Sequence, residues 1–140
     1  FMIAYDIGCA INPMTVDGQL QGGLAQGIGG ALFEEFTYDE FGQPLSSTFA
    51  DYMMPGATDA PHYRIDHMES PSPFTEYGIK GMGEGGTIPT PAAIGNAIND
   101  ALKTIGAEIS ETPFTPRRVR AAILAAEARA ADKNRQGDAA

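Results

Sequence analysis

Five glycines surround one acidic and one basic side chain in the segment Gly78-Ile79-Lys80-Gly81-Met82-Gly83-Glu84-Gly85-Gly86. Glycine costs backbone entropy on folding, so such density marks a segment that needs φ > 0 or lets a backbone come close to another group. A carboxylate carried on such a loop beside a bound group has the means to act as a general base. The same residues also suit an exposed flexible turn whose glutamate is merely solvated, and the loop alone leaves both readings open.

A second constellation lies upstream. At helical spacing, Gln19, Gly23, Gln26 and Gly30 share one arc, while Leu20, Leu24, Ile28, Ala31 and Leu32 share an apolar one. Gly22, Gly23, Gly27, Gly29 and Gly30 together forfeit about 4–5 kcal/mol of helix propensity relative to alanine. Tertiary contact must offset that loss. Either another backbone packs closely on the glycine face, or a polar ligand does, bonded by carboxamides that both donate and accept.

Gly81-Met82-Gly83-Glu84-Gly85-Gly86 also matches a dinucleotide-binding G-x-G-x-x-G by letter. The context argues against it. That turn needs an apolar strand before it and a helix opening inside it, whereas Ser70 to Tyr77 is broken by prolines, and Pro89 and Pro91 delay the next helix. Glu84 would also press its charge toward a pyrophosphate.

The elements that must hold these groups are legible from start and stop signals. Phe1 to Gly8 reads as a strand already under way, so the chain is expected to be part of a longer polypeptide. Asp17 offers an N-cap for a helix from about Gly18 to Phe36. From Tyr38 to Glu76, turn signals alternate with short extended stretches around Ser46 to Ala50 and Tyr63 to Met68, which predicts hairpin-like strands. Thr90 as N-cap with Pro91 after it starts a second helix whose buried stripe is Ile94, Ile98, Leu102 and Ile105, ended by Gly106. Thr115-Pro116 repeats the signal for a last helix through roughly Ala130, with Val119, Ile123 and Leu124 inward. A domain over 1–131 and a polar tail over 132–140 follow. The fold class is α+β: short strands and hairpins packed with about three helices.

Composition narrows the function classes. A chain of 140 residues, 43% apolar and 19% charged, is long enough for one core. Its 17 glycines and 10 prolines imply long loops. The formal charge is −9, and fifteen of the eighteen acids precede Pro116 whereas six of the nine basic residues follow it. An acidic body repels a phosphate backbone, so nucleic acid is not an expected partner. Cys9 is the single cysteine, which rules out an internal disulfide and a cysteine-only metal cluster from this chain. His62 and His67 lack partners at ligand spacing and read as loop histidines. No apolar run approaches the ~18 residues that span a bilayer. A cytoplasmic setting is expected.

Taken in order, these segments resemble a known family. Asp6-Ile7-Gly8 with Ile11-Asn12-Pro13, Gly18-Gln19-Leu20-Gln21-Gly22-Gly23 with Gln26-Gly27, and Lys80-Gly81-Met82-Gly83-Glu84 are similar to the C-terminal part of the molybdenum-binding large subunit of molybdenum hydroxylases. That family includes xanthine dehydrogenase, aldehyde oxidoreductase and aerobic carbon monoxide dehydrogenase. Asp51-Tyr52 with Pro55, Asp59 with Pro61, Pro91-Ala92-Ala93 through Asn99-Asp100-Ala101, and Thr115-Pro116 extend the resemblance over roughly residues 1 to 125.

The resemblance implies an oxidoreductase that oxidises an electron-poor carbon, in an aldehyde, an N-heterocycle or carbon monoxide, with water as the oxygen source. Glu84 would face the molybdenum as general base, and Gln19 would hydrogen-bond the molybdenum ligands or pterin. Gly83 and Gly85 would let the carboxylate reach the metal, and Lys80 would brace the loop or a neighbouring carboxylate. No residue here would ligate the metal directly, because the pterin holds it. The implied cofactor is molybdenum–molybdopterin cytosine dinucleotide, with 2Fe-2S and FAD on partner subunits. The implied partners are the remaining upstream part of the molybdenum subunit, those electron-transfer subunits and a small-molecule substrate. The competing reading is a truncated, non-catalytic assembly module that folds as an acidic α+β domain.

Overall fold

The structure, a computed structural model, describes residues 1–137. Strand β1 (Met2–Asp6) leads into helix α1 (Pro13–Leu32), which crosses to strand β2 (Arg64–Met68). Helices α2 (Thr90–Leu102) and α3 (Pro116–Gly137) complete the α+β fold. The two strands pair in parallel, Met2 opposite Arg64 through Asp6 opposite Met68. A parallel pair needs a crossover, and α1 supplies it.

The register explains why these segments pair. Side chains alternate across a strand, so Ile3 and Tyr5 share one face of β1, and Ile65 and His67 share the matching face beside Tyr63. Ile3 sits opposite Ile65, and this face closes over Leu20 and Leu24, which are fully buried. His67 Nε2 reaches Asp17 Oδ1 of α1 at 2.7 Å, fastening the strand pair to the helix.

A second core lies at the other end of α1. Ala31 packs with Leu102, Ala107, Ile109, Phe114 and Ala126, flanked by Ile94, Ile98, Val119 and Ile123. One central helix therefore serves two clusters. The Phe114 ring lies over Gly95, where an added Cβ would come within 2.7 Å of it. Asn99 of α2 closes the loop beneath: its Nδ2 donates to Ile109 O at 2.8 Å, and its Oδ1 accepts from Ile109 N at 2.9 Å. Asn99→Ala strands both backbone groups, and thermal or denaturant unfolding is expected to show a loss of about 1–3 kcal/mol.

Several local expectations are corrected. Helix α1 begins at Pro13, because Asn12 Oδ1 accepts from Thr15 N at 3.1 Å and Pro13 takes the first helical position. Asp17 is therefore inside the helix and spends its carboxylate on His67. The helix also stops at Leu32 instead of Phe36, since the N–H groups of Phe33 and Glu34 both turn back to Gly29 O at 2.9 Å. The predicted hairpins reduce to one antiparallel bridge, Tyr38 to Pro44, and Tyr63 to Met68 contributes to a parallel pair instead. Around Ser46 to Ala50 the chain turns, with Asp51 N and Tyr52 N donating to Thr48 O.

Thr90 lies in the first turn of α2, with Pro89 at the cap position; its hydroxyl donates to Gly86 O at 2.7 Å, and it is fully buried. Ile105 and Leu124 are both 47% exposed, and Ala107 and Ala126 fill the places they were expected to take. Lys103–Ile105 tightens into a 3-10 turn before Gly106, which rotates Ile105 off the buried stripe. Helix α3 continues to Gly137, past the expected end near Ala130, and the last three residues of the proposed tail lie outside the described residues.

Candidate active site

The glycine loop lies against α1, and glycines on both sides make the contact. Gly86 rests on the helix so closely that a Cβ would meet Leu20 O at 2.5 Å and Leu24 N at 2.9 Å, while one on Gly23 would meet Gly86 Cα at 2.9 Å. Thr87 Oγ1 donates to Gly23 O at 3.1 Å. One turn further on, Gly27 makes room for Thr90, whose Cβ lies 2.5 Å from where a Gly27 Cβ would stand. Close packing thus accounts for Gly23 and Gly27.

A cleft opens beside this contact. Gln19, Gly22, Gly23 and Gln26 of α1 and Gly83 and Glu84 of the loop line about 280 Å³, and Gln19, Gln26 and Glu84 are exposed. Gly22 and Gly83 have nothing within 4 Å of an added Cβ, so their missing side chains widen this space. Gly83 takes a positive φ of 34°, a conformation that favours glycine, and so turns the chain into Glu84. Among the described residues, the side chains of Gln19, Gln26 and Glu84 have no hydrogen-bond partner within the chain.

Three sequence-predicted residues, Gln19, Gly83 and Glu84, therefore meet around one space. Gly85 is placed differently: it is buried beneath Tyr5, and a Cβ there would collide with the Tyr5 ring. Gln26 joins the lining, although the resemblance that included Gln26-Gly27 implied no role for it. Its spacing of two helical turns from Gln19 was the available signal.

A neighbouring cavity of about 240 Å³ is apolar, lined by Ile7, Ile11, Val16, Ile79 and Met82 among others. It is built from the start of α1 and the upstream part of the loop and shares no lining residue with the polar one.

Lys80 does not pair with Glu84. Its Nζ donates to Asp6 Oδ2 at 2.7 Å and to Ser70 Oγ at 3.0 Å. Lys80, followed by Ser70 and backbone N–H groups, holds the Asp6 carboxyl well below the usual carboxylate range. A depressed folded-state pKa stabilises the fold above the ordinary aspartate range, and this contribution is lost as pH falls toward the folded value.

Among the described residues no group of three or more His, Cys, Asp or Glu side chains is placed to hold a metal ion, and no helix is long and apolar enough to cross a membrane. The polar groups available would instead hold an organic ligand. Two free carboxamides, a carboxylate and side-chain-free glycine walls fit the edge of a polar heterocycle such as a pterin.

The profile of the molybdopterin cofactor-binding domain matches residues 1–61. The large subunit of nicotine 6-hydroxylase from Paenarthrobacter nicotinovorans is 47% identical over 114 residues, covering 81% of this chain and 14% of that protein. The large chain of carbon monoxide dehydrogenase from Hydrogenophaga pseudoflava is 38% identical over 117 residues, again 81% of this chain and 14% of that one. Quinoline 2-oxidoreductase from Pseudomonas putida 86 superposes with a TM-score of 0.85 at 47% identity, over 88% of this chain and 16% of that chain.

The family match over residues 1–61 identifies a molybdopterin cofactor-binding domain. The chain is homologous to the C-terminal part of the large subunits of molybdenum hydroxylases, the family of xanthine dehydrogenase, aldehyde oxidase and carbon monoxide dehydrogenase. It spans 14% of the length of the curated relatives named above.

Proposed function

We propose that this chain forms one wall of the active site of a molybdenum-dependent hydroxylase, with Glu84 as its general base. The observation that carries the reading is the convergence of Glu84, Gln19 and Gln26 on one glycine-walled cavity in a chain of this homology. Gln19 and Gln26 can each donate and accept, so they suit the mixed polar edge of a pterin. Gly22 and Gly83 leave room for it. The cofactor proposed is molybdenum–molybdopterin cytosine dinucleotide, which when bound would supply Lewis acidity and accept two electrons.

The chain's own part is proton transfer and positioning. Glu84 takes the proton from the water that becomes the new oxygen substituent on the substrate, and it can do so only when ionised. Gln19 keeps the cofactor edge fixed relative to Glu84. The backbone of Gly23 and Gly86 holds the two elements in one register.

Among the substrate classes considered, an aromatic N-heterocycle is favoured over an aldehyde or carbon monoxide. Both 47%-identical proteins carry such a ring in their names, nicotine and quinoline, against 38% for carbon monoxide dehydrogenase. The apolar compartment beside Met82 suits a flat ring. Partner subunits carrying 2Fe-2S and FAD, together with the rest of the molybdenum subunit, would complete the electron path.

Two measurements test the wall itself. In the complete assembly, Gln19→Ala is expected to lower molybdenum retention or turnover with the fold intact, because a buried ligand group loses a partner worth about 1–3 kcal/mol. Full metal occupancy and unchanged activity would reduce the glycine stripe to helix packing. The 140 residues alone are expected to retain no stoichiometric molybdenum, since ligand sites bury about 70–90% of what they hold and one wall cannot. Stoichiometric metal on the isolated chain would contradict this.

A further inference from the structure

The segment from Gly81 to Gly85 hangs between two anchors. The downstream anchor is the Gly86 contact on α1, reinforced by the Thr87 and Thr90 hydroxyls. It ties the loop to the helix that carries Gln19 and Gln26. Between the anchors Met82 packs on the Leu20 and Leu24 cluster, Gly85 lies beneath Tyr5 and its N–H donates to Met82 O at 2.7 Å, whereas Gly81 and Gly83 have open space around them. A glycine samples many backbone states, so the direction in which the chain enters at Gly81 also depends on the upstream end.

That upstream end is Lys80. Its N–H donates to Ile7 O at 3.1 Å, and Cys9 N donates to Gly78 O at 3.3 Å, joining the loop to the chain just past β1. Asp6 then ties three segments together. Its Oδ1 accepts from Gly8 N at 3.0 Å and Ser70 N at 3.2 Å, while its Oδ2 accepts from Lys80 Nζ at 2.7 Å and from the Ser70 hydroxyl. Both carboxylate oxygens are saturated, by the end of β1, the turn after β2 and the glycine loop. Hydrogen bonds to an ionised group are shorter and stronger than neutral ones.

We infer that Asp6, Ser70 and Lys80 form a clasp that fixes where the loop leaves the strand and so sets the position of Glu84. Asp6 and Lys80 are positioning residues of the site. The inference rests on the reading of Glu84 as the base. The clasp has a second consequence: the Lys80 ammonium is committed to Asp6 and does not pair with Glu84. An ion pair 36% and 30% exposed contributes little to global stability, so its effect should be local to the loop.

The test uses the complete, cofactor-loaded assembly with Lys80→Met, Lys80→Arg and Asp6→Asn, each checked for molybdenum and pterin content. Lys80→Met is expected to lower kcat about tenfold to a hundredfold by displacing the base, because small misplacements of a reacting group cost rate at that scale. Amide hydrogen exchange over 79–86 should quicken about tenfold as the charged hydrogen bonds are lost, while exchange over 20–28 stays unchanged. Lys80→Arg, which keeps the cation, should recover both protection and most of kcat. Asp6→Asn should match Lys80→Met, and the double variant should lose no more than either.

Unchanged exchange over 79–86 in Lys80→Met would overturn the clasp. A loosened loop with wild-type kcat would overturn its positioning role. Glu84→Gln in the same background separates the two readings: full turnover there rejects Glu84 as base, whereas the exchange data judge the clasp without reference to chemistry.

Discussion

Glu84→Gln in the complete enzyme is expected to lower turnover by about 10²–10⁴, the range of a lost general base. Glutamine keeps the size and hydrogen-bonding reach of glutamate but cannot hold the transferred proton. Because Glu84 has no hydrogen-bond partner within the chain among the described residues, the substitution strands no protein group. Stability, molybdenum content and pterin content should therefore remain near wild type.

The second large effect is structural. Gly23→Val drives a branched side chain into the backbone of Gly86 and Thr87, where a Cβ alone would lie at 2.9 Å and 3.0 Å. The obstacle is main chain and cannot rotate away. Overpacking of this kind costs about 3 kcal/mol or more, and it separates the two elements that build the cavity. Loss of soluble yield or a sharp drop in Tm is expected, together with loss of molybdenum. The control is Gly18→Ala on the same helix, where nothing lies within 4 Å of the added Cβ. There the helix should gain up to about 1 kcal/mol. Equal stability of Gly23→Val and wild type would remove the close crossing from the account.

The sequence made the two halves of the site visible because each is local. Glycine density around Glu84 and the helical arc of Gln19 and Gln26 are both properties of short segments. Of the two readings weighed for the glycine face, close packing accounts for Gly23 and Gly27, which receive the Gly86 backbone and Thr90, while Gly22 and Gly23 also line the cavity. The Asp6–Lys80 contact was less legible, since it joins residues 74 positions apart and depends on the parallel pairing of β1 with β2. Only the bracing role of Lys80 was foreseen, with its partner left open.

The local misjudgements share a cause. Asp17 looked like a cap because acids favour helix starts, but Asn12 followed by Pro13 is the stronger signal, and tertiary contact gave Asp17 to His67. Tyr63 to Met68 alternates as a hairpin strand would, and nothing in that alternation distinguishes a parallel partner reached through a helix from an adjacent antiparallel one. Leu124 matched the helical period by spacing alone. Helix α3 touches its neighbours along a narrow stripe, and Ala122 and Ala126 occupy it.

The most direct test of the central claim is the single-turnover rate of enzyme reduction by an N-heterocyclic substrate, compared between wild type and Glu84→Gln at matched molybdenum and pterin content. A single turnover isolates the chemical step from product release and from electron transfer to partner subunits. A rate at least about a hundredfold lower in the variant is the predicted result. A rate within about threefold of wild type would contradict the assignment of Glu84 as the base.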